Sequence, residues 1–315
     1  VVHPQGNPFS AARQSLGKQL FFERRLSASG QIACANCHDP DLGWADGRRV
    51  AIGHNRIQGE MNSPGILNAG FLEHLFWDGR AQTLEQQALA SWTNPIEMAG
   101  DPQKASRKLG EVPGYQPLFE AAFGTPEVNP ERITQAIATF VRSMTMPDTP
   151  FDRFMRGDKQ ALNDQEIRGL HLFRTKARCM NCHNGPLLSD GQFHHLGTSF
   201  HEMGNFEGRY RETGKPEHVG AFRTPPLRGH SATVPYMHNG FVANLDMLLP
   251  LYNMGWWQNA PTVDKSDDVP LAQLSPLIKP LELDQGELAD LKAFLLSLDG
   301  DMRYQSMPEE LPDAP

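Results

Sequence analysis

Cys34-Ala35-Asn36-Cys37-His38 and Cys179-Met180-Asn181-Cys182-His183 are two copies of one pattern, C-x-x-C-H, and their reading decides the fold. Two thiols at this spacing can each form a thioether to one vinyl group of a haem. The histidine that follows then sits under the iron as its proximal ligand. The chain has four cysteines, and the two motifs use all of them. Three other uses of such pairs compete: a redox dithiol, one zinc site with both pairs supplying four thiolates, and structural disulfides. None explains a histidine directly after the second cysteine in both copies. Cysteines three apart also rarely bridge each other outside redox sites. The motifs therefore predict two covalent c-type haems, with His38 and His183 on the irons.

Outward from each motif the chain reads as a repeat. Ser10 can cap a helix through Leu16 and Leu20 toward Phe21, before the first motif. Asn163 with Glu166 makes a capping-box pattern that opens a helix carrying Ile167 and Leu170 on one face. Gly17-x-x-Leu20-Phe21 in the first half matches Gly169-x-x-Leu172-Phe173 in the second. Each half closes on an amphipathic helix. Ile133, Ile137, Phe140, Val141 and Met144 line one; Leu288, Leu291, Leu295 and Leu298 line the other, after a capping box from Asp284 to Glu287. Helix, haem motif, loops and late helix make the plan of a cytochrome c domain, and it occurs twice. The expected fold is mainly α, with two cytochrome c-like domains over residues 1–150 and 151–315. Each carries one covalently attached haem, and long Gly/Pro-rich loops connect the helices. The boundary is expected within Pro147–Gly157, and Gly300–Pro315 reads as a polar, proline-containing tail. In each opening helix the missing side chain of the glycine is expected to let the late helix cross closely.

Composition narrows the function. At 315 residues the chain can hold two cores, and no apolar run approaches a membrane span. The 28 glycines and 25 prolines suit long ordered loops. A formal net charge of -8 argues against nucleic acid as a partner and is compatible with small electron-donor proteins. Attachment of c-type haem is completed outside the cytoplasm, so a periplasmic protein whose targeting segment has been removed is expected.

Six further stretches point to one family. They are Ile52-Gly53-His54, Asn62-Ser63-Pro64, Phe76-Trp77-Asp78-Gly79-Arg80 and Asn94-Pro95-Ile96-Glu97-Met98 in the first half. Phe222-Arg223-Thr224-Pro225-Pro226-Leu227-Arg228 and Pro235-Tyr236-Met237-His238-Asn239-Gly240 follow in the second. Ordered around two C-x-x-C-H motifs, they make the chain resemble the bacterial dihaem cytochrome c peroxidases and their relative MauG along nearly its whole length.

The resemblance implies unequal haems. The first would be the high-spin, peroxide-reacting one. Glu97 matches the family's distal acid–base glutamate, and Gln87 a distal glutamine that hydrogen-bonds an oxygen ligand. Read alone, Glu97 is a helix N-terminal carboxylate, and Gln86 equally competes with Gln87 for a solvent-facing position. His54 matches a loop histidine that ligates the resting peroxidatic haem in many peroxidases and that MauG lacks; otherwise it is a solvated loop residue. Trp77 matches the tryptophan between the two haems, an electron relay or a core side chain. The second haem would be the low-spin, electron-transfer one. Its sixth ligand would be Tyr252, where standard peroxidases have methionine and MauG has tyrosine, with Met254 as the alternative. A phenolate lowers the iron potential and a thioether raises it. A buried tyrosine with a satisfied hydroxyl is the plainer reading. The resemblance also implies a calcium ion between the haems, held by the Asn62 side chain and the carbonyls of Thr233 and Pro235; all-oxygen coordination suits calcium. His194, His195, His201 and His218 fit no metal-site spacing and are read as surface or haem-edge histidines.

Three functions follow as expectations. A peroxidase would reduce hydrogen peroxide with electrons from a small cytochrome c or cupredoxin, sharing redox equivalents through Trp77. A MauG-like enzyme would use peroxide-derived bis-ferryl haems to oxidise a tryptophan or tyrosine of a partner protein. A dihaem electron carrier would do neither, and would have no use for Glu97 and Gln87. A monomer or a homodimer is compatible with each.

Overall fold

The computed structural model describes residues 1–146, 148–199, 207–256, 269–300 and 306–312. Pro147 of the expected boundary and His201 of the histidine-rich loop lie outside them. The fold is mainly helical with little sheet. The helices of the first half are α1 (Ala11–Phe21), α2 (Leu84–Thr93), α3 (Pro102–Gly110), α4 (Gln116–Phe123) and α5 (Pro130–Ser143). Those that follow are α6 (Pro150–Met155), α7 (Asp164–Arg174), α8 (Tyr210–Thr213), α9 (Leu245–Asn253) and α10 (Gln285–Leu296). One antiparallel pair, β1 (Phe193–His194) with β2 (Phe222–Arg223), sits in the loops of the second half.

The starts of these helices follow from their capping residues. Ser10 accepts from the Arg13 amide at the start of α1, and Asn163 with Glu166 and Asp284 with Glu287 form capping boxes on α7 and α10. The opening and closing helices of each half pack together, α1 on α5 and α7 on α10. The glycines explain how closely. A Cβ on Gly17 would stand 1.9 Å from the Ala136 carbonyl oxygen, and one on Gly169 2.0 Å from that of Asp290. Helix backbones touch at both crossings. Gly17→Ala should therefore destabilise the protein by about 1–3 kcal/mol through forced separation of α1 and α5, read as a lower denaturation midpoint at unchanged slope.

Buried apolar side chains form two clusters. One runs from Leu16 to Met144 and includes Ile133, Ile137, Phe140 and Val141; the other runs from Phe151 to Leu298 around Phe173, Leu291, Phe294 and Leu295. The halves meet through main-chain bonds. The Arg223 amide donates to the Trp77 carbonyl at 2.8 Å, and the Asn62 amide donates to that of His238 at 2.7 Å. The tail departs from expectation. Leu311 packs on the first cluster, and Arg25 Nη2 donates to the Pro312 carbonyl at 2.6 Å. A segment that sequence order assigns to the second half thus lies against the first.

Candidate functional site

Both C-x-x-C-H motifs fold as one tight turn. The His38 amide donates to the Cys34 carbonyl at 3.0 Å, and the His183 amide to that of Cys179 at 2.8 Å. In the second motif Cys179, Cys182 and His183 line one cavity. Each ring is then fixed by a carbonyl, His38 Nδ1 at 3.0 Å from the Trp44 oxygen and His183 Nδ1 at 2.9 Å from the Leu188 oxygen. With Nδ1–H donating, the Nε2 lone pair is left for a metal, the arrangement that orients iron-binding histidines. Burial keeps both rings neutral, lowering His183 to about 4.

The cysteines are free, which removes the disulfide reading. Burial pushes Cys34 and Cys179 up to about 12 and Cys37 and Cys182 up to about 11. A redox dithiol needs the opposite shift. Among the described residues, the convergent group of possible metal ligands is Cys182, Asp190 and His194, so the two cysteine pairs do not meet in a zinc site. His194 Nε2 is 2.9 Å from Asp190 Oδ2, and His218 Nδ1 is 2.8 Å from the Thr213 hydroxyl.

Cys179, Cys182 and His183 open into a large cavity with mostly apolar walls. Tyr252, on the buried side of α9 with Leu245 and Leu249, lines it. Burial and the neighbouring Cys179 and Cys182 raise its phenol well above the ordinary range. Met254 is 55 % exposed and lies outside the lining. Two polar groups in the wall lack counterparts. Arg223 is buried, its guanidinium donates to the Phe76 and Thr224 carbonyls, and it forms no ion pair among the described residues; burial lowers it to about 10. His238 is 2 % exposed with Nε2 unbonded, and burial lowers it to about 3. An apolar slot with two thiols, an imidazole and an uncompensated guanidinium fits a haem, whose propionates need cationic and N–H partners. Sequence gives neither Arg223 nor His238 a role of its own; the cation after Phe222 in the Phe222–Arg228 stretch is the one signal it offers.

Trp77 lies where the halves meet. It is 8 % exposed, donates from Nε1 to the Asn62 carbonyl at 2.9 Å, and stands edge-on to His238 at 6.5 Å between centroids. His238 stacks on Phe222 at 3.6 Å. Asn62, Thr233 and Pro235 line the same cavity. Asn62 Nδ2 donates to the Arg48 carbonyl at 2.8 Å, so Oδ1 is the side-chain atom that could accept a cation.

The first motif faces a polar group. Burial raises Glu97 above the usual carboxylate range, against hydrogen bonding from Ser91 and Asn94 and the charge of Arg80. Asn94 Nδ2 donates to Glu97 Oε1 at 2.9 Å, and Arg80 Nη2 is 3.9 Å from the same oxygen. Gln87 Nε2 donates to the Ser91 hydroxyl at 3.0 Å, while Gln86 is exposed and accepts from the Gln82 amide. Gln87, Ser91 and Glu97 thus form a series, and the charge of Glu97 is felt by both Cys34 and Cys37. Ser91 was missed, although its position one helical turn beyond Gln87 was the signal. His54 is half-buried with Nδ1 unbonded, and its amide donates to the Ile96 and Glu97 carbonyls at 2.9 and 2.7 Å.

Comparison with known proteins gives this arrangement its family. Residues 11–160 match the family model described as di-haem cytochrome c peroxidase. The chain is 38% identical over 302 residues to the methylamine utilization protein MauG of Methylophilus methylotrophus, covering 95% of this chain and 86% of that protein. It belongs to the dihaem cytochrome c peroxidase and MauG family. The cytochrome c551 peroxidase of Nitrosomonas europaea is 35% identical over 312 residues, 96% of this chain and 89% of that one. Among solved structures, a MauG-like protein associated with microbial copper homeostasis superimposes with a TM-score of 0.85 at 30% identity, covering 96% of this chain and 93% of that one. The cytochrome c-like fold is thereby shared. As a dihaem peroxidase/MauG-family member the chain is an oxidoreductase enzyme, and membership implies two haem groups. Among its described residues no helix is long and apolar enough to cross a membrane.

Proposed function

We propose that the protein reduces hydrogen peroxide at the N-terminal haem of residues 1–150 and shares redox equivalents with the C-terminal haem of residues 151–315. Cys34, Cys37 and His38 would hold the first haem; Cys179, Cys182, His183 and Tyr252 would hold the second. Haem would supply redox-active iron at both sites.

The observation that carries the reading is the position of Glu97. It is a partly buried carboxyl with a raised pKa, in series with Ser91 and Gln87, and its charge acts on Cys34 and Cys37. Its carboxylate takes the proton from one oxygen of hydrogen peroxide and delivers it to the other as the O–O bond breaks. Gln87 orients the substrate oxygen. Two electrons and two protons convert each peroxide into two waters. Trp77 relays electrons between the sites, supported by its burial and its cross-half bonds. Calcium would sit on Asn62 Oδ1 and the carbonyls of Thr233 and Pro235, and would fix the same junction. The periplasm is the compartment that covalent haem attachment requires.

His54 favours a gated peroxidase supplied by a small cytochrome c or cupredoxin. Its loop is keyed to Glu97, because a Cβ on Gly53 would stand 2.1 Å from the Ile96 oxygen and 2.6 Å from that of Glu97. Gly53→Ala should therefore displace Glu97 and lower turnover on the order of 10²-fold, with an unchanged melting temperature checking that the fold persists. Tyr252 in the cavity favours the second reading, oxidation of a tryptophan or tyrosine on a partner protein. Peroxide consumption coupled to oxidation of a reduced small cytochrome, with and without prior one-electron reduction, tests the proposal. Turnover only after reduction supports gating. Peroxide use without donor oxidation supports a protein substrate. No consumption in either state contradicts both.

A further inference from the structure

We infer that Trp256 is the redox partner of Tyr252, an indole that gives single electrons to the second haem through the tyrosine ring. The inference rests on the proposed function. Trp256 is 1 % exposed, and its ring stands 5.2 Å from that of Tyr252 at an interplanar angle of 79°. Tyr252 lines the cavity and Trp256 does not, so the indole forms a layer next to the tyrosine rather than part of the haem slot.

The backbone works against this placement. Gly255 and Trp256 follow α9 in the left-handed region, with φ of 78° and 57°. Glycine adopts it freely, whereas the Cβ of a tryptophan crowds its own carbonyl. The Trp256 amide donates to the Leu251 carbonyl at 2.8 Å, which turns the chain back on the last turn of α9 and sets the indole against Tyr252. Strain held at a bulky aromatic residue beside a candidate ligand points to a role beyond filling space. Edge-on ring contact fits both rigid orientation of the phenol and electron exchange between the rings.

The electron balance is simple. Reduction of hydrogen peroxide to two waters consumes two electrons and two protons. One of those electrons leaves the Trp256 indole and passes through Tyr252 to the second haem. No covalent bond breaks, and the Nε1 proton stays on the ring, leaving a radical cation. The other electron would come from haem iron, and two electrons from a reduced small redox protein restore the indole and the iron.

The test uses holoenzyme with tryptophan in natural or ring-deuterated form, diferric and half-reduced, mixed with one equivalent of hydrogen peroxide and frozen within milliseconds. Electron paramagnetic resonance should detect a protein radical whose line narrows on deuteration. Trp256→Phe keeps a ring against Tyr252 but is harder to oxidise, so it should lose the radical while the resting low-spin haem signal is unchanged. Trp256→Tyr should replace the signal with one insensitive to tryptophan deuteration. A radical that persists in Trp256→Phe, or is absent from the wild type, overturns the inference. Optical spectra of the same samples separate the two claims. A haem change without a Trp256-dependent radical overturns this inference alone, whereas no haem change in either state overturns the proposed function.

Discussion

Glu97→Gln should lower kcat/KM for hydrogen peroxide about 10²–10⁴-fold, the range a positioned acid–base group supplies. The substitution keeps an oxygen for the Asn94 amide at 2.9 Å and removes only the proton-carrying function. Visible spectra of both haems should therefore match the wild type, which separates lost chemistry from lost structure. The pH profile carries a second sign of the same group. Proton transfer starts from the carboxylate, so kcat/KM falls as pH drops through the pKa of Glu97. Burial raises that pKa, and the acid limb of the wild type should lie above 4.5, the ordinary value for glutamate. The stability linkage has the matching sign. A raised carboxyl favours the folded state most when protonated, so its burial penalty is present above the folded pKa and fades as pH falls below it. In Glu97→Gln both the acid limb and this penalty should disappear.

Tyr252→Met should raise the reduction potential of the second haem by a few tenths of a volt, within the roughly 0.8 V that axial ligands span. A phenolate donates charge to ferric iron, whereas a thioether favours ferrous iron. The phenol lies in the cavity with Cys179 and Cys182, and ordinary burial holds it protonated. Only a strong electrophile such as ferric iron would draw off that proton, which makes the site a sensitive reporter of ligation. Spectroelectrochemical titration of the low-spin haem measures the shift, and an unchanged potential would return Tyr252 to the role of a packed core residue. Replacement of Met254, which is 55 % exposed, should leave the potential where it is.

What the sequence revealed was local or periodic. Gly17 and Gly169 stood out because each precedes Leu-Phe in a repeated helix, and each lies where a helix backbone crosses. Capping pairs such as Asn163 with Glu166 are three residues apart and need no tertiary knowledge. The two haem motifs carry their chemistry within five residues. Sequence leaves Tyr252 against Met254 open because the C-terminal end of α9 has no signal in it. Once α9 runs through Asn253, Leu245, Leu249 and Tyr252 fall on one face and Met254 leaves it. Arg223, His238 and Ser91 carry at most a weak sequence signal, for a different reason. Their significance depends on what is missing or distant: among the described residues, a carboxylate that Arg223 lacks and a partner that His238 Nε2 lacks, and a glutamate beyond the end of the helix that carries Ser91. The return of Leu311 and Pro312 to the first half was equally invisible, since a short polar tail has no periodicity to indicate where it docks.

The central claim is that two similar motifs hold unequal haems that act together on peroxide. Freeze-quench Mössbauer spectroscopy of ⁵⁷Fe-labelled protein tests it most directly, after one equivalent of hydrogen peroxide is added to the diferric and to the half-reduced forms. The account predicts two distinct iron signals before mixing, one high-spin and one low-spin. Within milliseconds of mixing, both should change together in at least one of the two starting states. Two equivalent six-coordinate irons that peroxide leaves unaltered in both states would contradict it.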